Sequence, residues 1–181
     1  YPHWAAVFLN NPVRRLLGRP GAVIDSLGLS GDEAVLELGP GPGFFSTEIA
    51  RRLPRGRLEL FDLQPQMLEK AGRALAGAGC TNVGMHSGDA SVGLPFDDAA
   101  FDVAFLAAVL GEVPDKAMCI RALERVLRPG VLLVFVEVFP DPDRICVQEL
   151  RELVDPYGFV LQGWHGTTWR DVVLFRRVPT P

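Results

Sequence analysis

The residues best suited to chemistry lie close together in the first half of the chain. Gly39-Pro40-Gly41-Pro42-Gly43 follows directly on the apolar run Ala34-Val35-Leu36-Glu37-Leu38. Asp62 comes 19 residues after Gly43 at the end of a second such run, and Gly88-Asp89-Ala90 closes a third. Glycines reach backbone angles closed to other residues and let a ligand lie against bare main chain. A carboxylate about 20 residues beyond such a turn, at a strand end, can accept hydrogen bonds from both ribose hydroxyls. Two acids and a glycine turn thus describe a nucleoside pocket with no phosphate-binding device. A dinucleotide loop needs Gly-x-Gly-x-x-Gly, but its third position here holds Phe44 counted from Gly39, or Ser46 counted from Gly41. No GxxxxGK[ST] occurs, which excludes a P-loop nucleotide site. Each residue also has a plainer role open to it. Residues 39–43 can be an ordinary tight turn, Asp62 can cap the helix that opens at Pro65, and Asp89 can shape a turn.

The elements that must carry these residues alternate regularly. Strands are expected over residues 34–38, 57–61, 82–86, 101–106, 131–138, 159–164 and 171–178. Helices are expected over residues 20–27, 44–53, 65–78, 114–127 and 145–154, with Pro129-Gly130 closing the fourth of these. Residues 131–138 are apolar at nearly every position, as in a strand buried on both faces. Strand and helix alternating in this way require right-handed crossovers and a parallel sheet. The last two strands have no helix between them, so one should run antiparallel as a C-terminal hairpin. The fold class is therefore α/β, a doubly wound and mostly parallel seven-stranded sheet. The glycine turn belongs at its carboxyl edge, where such sheets bind ligands.

Length and composition set the outer limits. The chain has 181 residues, 48% of them hydrophobic and 22% charged, as expected for one globular domain. Within it, residues 1–30 read as an N-terminal helical lid, 34–138 as the cofactor-binding core and 139–181 as a C-terminal helix and hairpin. A net charge of -4 disfavours nucleic-acid partners. Cys80, Cys119 and Cys146 show neither CxxC nor Cys/His spacing, so reduced thiols and no metal site are expected in a cytoplasmic protein. The longest apolar runs are far short of a membrane span. Tyr1-Pro2-His3-Trp4 does not open like a signal peptide, and the missing Met suggests a trimmed N-terminus.

These motifs resemble the class I S-adenosylmethionine-dependent methyltransferases, over residues 34–138. The resemblance rests on Val35-Leu36-Glu37-Leu38-Gly39-Pro40-Gly41-Pro42-Gly43, Phe61-Asp62-Leu63-Gln64-Pro65-Gln66-Met67-Leu68 and Gly88-Asp89-Ala90. Leu94-Pro95-Phe96 with Phe101-Asp102, and Leu127-Arg128-Pro129-Gly130, complete it. The branch it resembles most contains quinone-biosynthesis C-methyltransferases and many small-molecule enzymes. The resemblance implies S-adenosyl-L-methionine as cofactor and S-adenosyl-L-homocysteine as product. It implies that Glu37 and the backbone of Gly39, Pro40, Gly41 and Gly43 face the methionine part. Asp62 would take the ribose hydroxyls, with Leu63 and Met67 flanking the adenine. Asp89 would accept from the adenine amino group beside Ala90, and Leu106 would lie beneath the sulfonium. Val131 departs from the family's usual second Gly, at a turn remote from the cofactor.

The acceptor side is less marked. A sulfonium methyl is already activated, so alignment and exclusion of water can suffice. Where the acceptor must lose a proton, His3, Glu112 and Glu137 are the candidate bases, with His165 read as a surface turn residue. Glu137 interrupts an apolar run at a strand's carboxyl end, where it can also pair with an Arg; Glu112 can also cap the following helix. Phe139, Trp164 and Trp169 suit an apolar wall, and the expected partner is a small, apolar methyl acceptor. Residues 4–19 mix aromatic and basic side chains, which suits packing on the sheet more than lying on a membrane. The alternatives are a non-catalytic S-adenosylmethionine-binding regulatory protein and a lipid methyltransferase at a membrane surface.

Overall fold

The computed structural model describes residues 20–178. His3, Trp4 and most of the expected lid lie outside them. The chain runs through α1 (Pro20–Asp25), β1 (Ala34–Leu38), α2 (Ser46–Arg51), β2 (Arg57–Asp62), α3 (Pro65–Gly77), β3 (Val83–Ser87) and β4 (Phe101–Ala107). A 3₁₀ turn (Leu110–Glu112) leads to α4 (Lys116–Val126), β5 (Leu127–Val138), α5 (Val147–Val154), β6 (Phe159–Gly166) and β7 (Arg170–Arg177). All seven strands join one sheet in the order β3-β2-β1-β4-β5-β7-β6. The first five pair in parallel, while β7 runs antiparallel to both β5 and β6. The doubly wound, mostly parallel sheet with its closing hairpin is therefore as expected.

Order reverses between β1 and β4, so the loops after those two strands flank the crevice in which such sheets bind ligands. Every residue of β1 is buried, as are most of its neighbour β4 and the stretch Leu133–Glu137 of β5 beyond it. One face packs Val35, Leu60, Phe105 and Val136 under α1, α2 and α3. The other packs Leu36, Phe61, Phe135 and Phe175 under α4 and α5.

Two boundaries differ from the sequence expectation for physical reasons. Helix α2 begins at Ser46 rather than Phe44, because the glycine turn runs on first. Gly43 N–H bonds Pro40 O at 3.1 Å, and Gly43 has a positive φ of 87°. Strand β5 begins at Leu127, ahead of the Pro129-Gly130 expected to precede it. The ladder to β4 skips from Phe101↔Leu127 to Val103↔Leu132, so residues 128–131 bulge out of it. Pro129 has no N–H to contribute there. The excursion is tied down by Arg128 pairing with Asp102, whose other oxygen accepts Ala34 N–H at 2.9 Å.

No helix covers the sheet between β3 and β4. Residues 88–100 do so as a loop, held in its middle by a side chain of α4. Arg125 on α4 donates to Leu94 O at 2.7 Å, Phe96 O at 2.8 Å and Asp98 at 2.7 Å. Phe96 is thereby set edge-on to Phe101 and His86. Arg125→Ala should cost about 1–3 kcal/mol in urea denaturation, since two carbonyls lose their donor. Arg125→Lys should not restore it, because one ammonium cannot reproduce the guanidinium fork. Wild-type stability in both variants would mean the loop holds itself.

Candidate functional site at the carboxyl edge

The turn after β1 is built around close approaches. Gly39 has φ 64°, its N–H bonds Phe61 O at 2.8 Å, and a methyl group added to it would overlap the Val109 side chain. The loop after β4 thus lies directly against the loop after β1. Gly43 packs on the backbone of Ala71 in α3. Between these two glycines the Gly41 N–H faces the carboxylate of Asp62 at the end of β2 and favours its charged form. Asp62 Oδ1 also accepts Gln64 N–H at 2.8 Å, and burial pushes its carboxyl above the usual range. Asp62 does not cap α3: Gln64 holds that position, with no side-chain capping bond.

Beneath the turn lies Glu37, 2% exposed, with Oε2 buried and unpartnered. Desolvation pushes its carboxyl up to about 7, opposed by the nearby Ser46 hydroxyl and reinforced by the charge of Asp62. Ser46 Oγ lies near that carboxyl but outside hydrogen-bonding geometry, and it is buried with no other partner among the described residues. Buried polar atoms are nearly always satisfied, so two orphans under one glycine turn point to a polar ligand there. Sequence reasoning missed Ser46; its only signal was a small polar residue opening a helix directly after the turn.

The third strand end is arranged differently. Asp89 Oδ1 accepts both Ser91 N–H at 2.8 Å and Ser91 Oγ–H at 2.7 Å, which hold its carboxyl below the usual range. The expected turn exists, and both bonds use the same oxygen. Leu63 is 65% exposed beside Asp62, while Met67 and Ala90 are buried. Val92, also exposed, follows the Asp89 turn and was not singled out from sequence. Exposed Leu63 and Val92 beside two carboxylates suit a flat heteroaromatic ring. Among the described residues, no group of three or more His, Cys, Asp or Glu could hold a metal ion.

Leu106 is buried in the core at the end of β4. The following residues form the edge: Ala107 is half-buried, and Ala108 has a positive φ of 54° with its N–H on Val136 O at 2.9 Å. A non-glycine residue in that region stores strain, which clusters at functional sites. Glu112, in the 3₁₀ turn, is exposed at the same edge, and Asp115 rather than Glu112 caps α4 by accepting Met118 N–H at 2.9 Å. Glu137 is 2% exposed near the end of β5; its Oε2 accepts Ile145 N–H at 3.2 Å, and no hydrogen bond joins it to an Arg. Phe139 and Trp169 are half-exposed with ring centres 5.9 Å apart. Trp164 Nε1–H donates to Asp171, and His165 is exposed.

The buried Glu37 has a signature in stability. A carboxyl raised from 4.5 to about 7 leaves the folded state holding more proton than the unfolded chain between those pH values. Stability therefore falls as pH rises through that window. Glu37→Gln removes this contribution, so its stability relative to wild type should grow between pH 5 and 8, by on the order of 3 kcal/mol at most. Parallel denaturation curves across that range would show that Glu37 titrates normally.

Comparison with known proteins places this arrangement. Residues 29–155 match the family described as methyltransferase domain. A demethylmenaquinone methyltransferase of Deinococcus radiodurans is 37% identical over 108 residues, covering 60% of this chain and 44% of the relative. A ubiquinone/menaquinone biosynthesis C-methyltransferase UbiE of Hahella chejuensis is 33% identical over 142 residues, covering 77% of this chain and 56% of the relative. The chain spans about half the length of these curated relatives. A SAM-dependent methyltransferase from Aquifex aeolicus superposes with a TM-score of 0.88 at 21% identity, covering 98% of this chain and 100% of that one. The cyclase SpnF superposes at 0.78 with 20% identity, covering 88% of this chain and 80% of that one. Those two likenesses establish the fold, and the family match spans most of the chain: this protein belongs to the methyltransferase domain family.

Proposed function

We propose that the chain binds S-adenosyl-L-methionine across the Gly39–Gly43 turn and transfers its methyl group to a small, apolar acceptor. The observation that carries this reading is the pair of buried polar orphans, Glu37 Oε2 and Ser46 Oγ, directly under a turn whose Gly41 N–H faces Asp62. Glu37 and Ser46 would face the polar methionine end. Asp62 would accept from the ribose hydroxyls, Leu63, Met67 and Val92 would border the adenine, and the second Asp89 oxygen with Ala90 would meet its amino edge. The bound cofactor supplies a methyl group already activated on a sulfonium, for in-line displacement.

The chain's own contribution is then alignment and dryness at the β4 and β5 edge. Phe139 and Trp169 offer an apolar wall beside that edge, which suits a quinone-type acceptor such as the one for which the Deinococcus radiodurans relative is named. His3 lies outside the described residues. Of the two described acids, exposed Glu112 can reach an acceptor, whereas Glu137 lies under the loop that contains Ile145. Glu112 is therefore the base wherever the acceptor must lose a proton. Among the described residues no helix is long and apolar enough to cross a membrane, and we place the reaction in the cytoplasm.

Isothermal titration should show Asp62→Ala weakening cofactor affinity by about 1–3 kcal/mol, since two hydroxyls lose a charged acceptor. Unchanged affinity would remove Asp62 from the ribose site. In a turnover assay with a panel of quinols and phenols, Glu112→Gln should lower kcat about tenfold or more at unchanged cofactor affinity. Equal turnover would leave alignment as the whole contribution. Cofactor binding with no turnover on any acceptor, including lipid in vesicles, would favour a regulatory protein over an enzyme.

A further inference from the structure

Two buried carboxylates stand directly across from each other at the carboxyl edge of the sheet. Glu137 on β5 is paired with Asp171 on β7, and they are 2% and 5% exposed. Directly opposed residues of a ladder share a face, and like charges so placed repel. Arg144 forms an ion pair with Asp171, which also accepts Trp164 Nε1–H at 3.0 Å. Glu137 has the Ile145 N–H at 3.2 Å. Asp141 adds a further negative charge, and Arg144 is the cation acting on Glu137.

Other charged groups lie on the elements around this pair. Lys116 Nζ donates to Gly111 O at 2.9 Å and Val113 O at 3.0 Å. Glu149 accepts Cys146 N–H, and Arg170 pairs with Val138, on the opposite face of the ladder from Glu137. Glu112 sits on the 3₁₀ turn, exposed, and Asp143 presents its carbonyl to Gly111. Glu137 and Asp171 thus face each other out of water, with Arg144 paired to one and acting on the other. Burial, with Asp141 and Asp171 adding to it, pushes the Glu137 carboxyl up to about 7.

These contacts tie separate segments together. Arg144 and Ile145 lie on the loop 139–146, and Trp164 lies on β6. The same loop begins at Phe139, whose N–H bonds Trp169 O at 2.9 Å and whose ring packs on Trp169. Asp143 O presses on Gly111, closely enough that a side chain there would collide with it. The two acids therefore sit under the joint between the loop after β4, the loop after β5 and the β6–β7 hairpin.

We propose that Glu137 and Asp171 form a proton-dependent clasp: with Glu137 protonated they hold residues 139–146 on the sheet edge and position the Phe139–Trp169 wall, and loss of that proton lets the loop lift. The use of that wall in acceptor binding rests on the methyltransferase reading; the clasp does not. Glu137 is then a positioning residue, acting on the acceptor through Phe139.

The test uses the folded chain alone, ¹⁵N-labelled, with no cofactor or acceptor, so it is independent of whether the cofactor binds. Amide hydrogen exchange is followed at Ile145 and Phe139 from pH 5.5 to 8.5, corrected for the intrinsic rate. Wild-type protection at both amides should fall about tenfold or more between pH 6 and 8. Glu137→Gln should keep its protection throughout. In Asp171→Asn, the titration midpoint read from the Ile145 amide shift should move down by about one pH unit, because the opposing charge is gone. Asp171→Asn also serves if Glu137→Gln fails to fold. Flat protection in wild type, the same fall in Glu137→Gln, or an unmoved midpoint in Asp171→Asn would each overturn the clasp.

Discussion

The site depends on one carboxylate that belongs to two elements at once. Asp62 ends β2, yet it faces the Gly41 N–H of the turn after β1 while its own burial makes ionisation costly. A buried acid in that condition needs donors, and the main chain supplies some of them. The glycine turn is correspondingly drawn toward the second strand and pinned from the far side by Val109. Three consecutive crossings of the sheet are therefore brought to one point by backbone geometry. Glu37 lies beneath that point as a polar atom without a partner. Its cost is tolerable only if something polar occupies the turn for part of the protein's life.

Much of this was legible in the sequence because it follows from local rules. Apolar runs bounded by glycine and proline mark the strands, and the missing helix between the last two marks the hairpin. The spacing from Gly43 to Asp62 reports one βαβ crossing, so both residues had to reach the same edge. Two motif pieces proved architectural: Asp102 serves the start of β1 and Arg128. Their roles emerge only once β1 and β4 are neighbours.

What stayed hidden depends on which side chain meets which across the sheet. Ser46 is unremarkable until Glu37 is placed under it. Leu106, expected at the reacting end, is buried in the core, and the half-buried Ala107 and Ala108 that follow it at the edge carried no signal of their own. Glu137 stood out as an acid in an apolar run, yet its partner Asp171 is 34 residues away and comes opposite only through an antiparallel pairing. The boundary of β5 was misplaced for a related reason. Pro129-Gly130 ends a helix by every local rule, but the ladder resumes around it as a bulge.

The two ends of the crevice also differ in how finished they are. The proposed cofactor side is assembled from backbone and short side chains. The proposed acceptor side is assembled from two loops and a hairpin fastened by buried charge, with an aromatic pair at the surface. That contrast suits a protein whose donor is fixed by the fold and whose acceptor is chosen by replaceable parts.

The most direct test of the central claim is a crystal structure of the chain with S-adenosyl-L-homocysteine. The expected result places both ribose hydroxyls on Asp62, the homocysteine end over Gly39–Gly43 above Glu37, and the adenine between Leu63 and the Asp89 turn. An empty turn at saturating ligand, or a ligand bound away from Asp62, would contradict it.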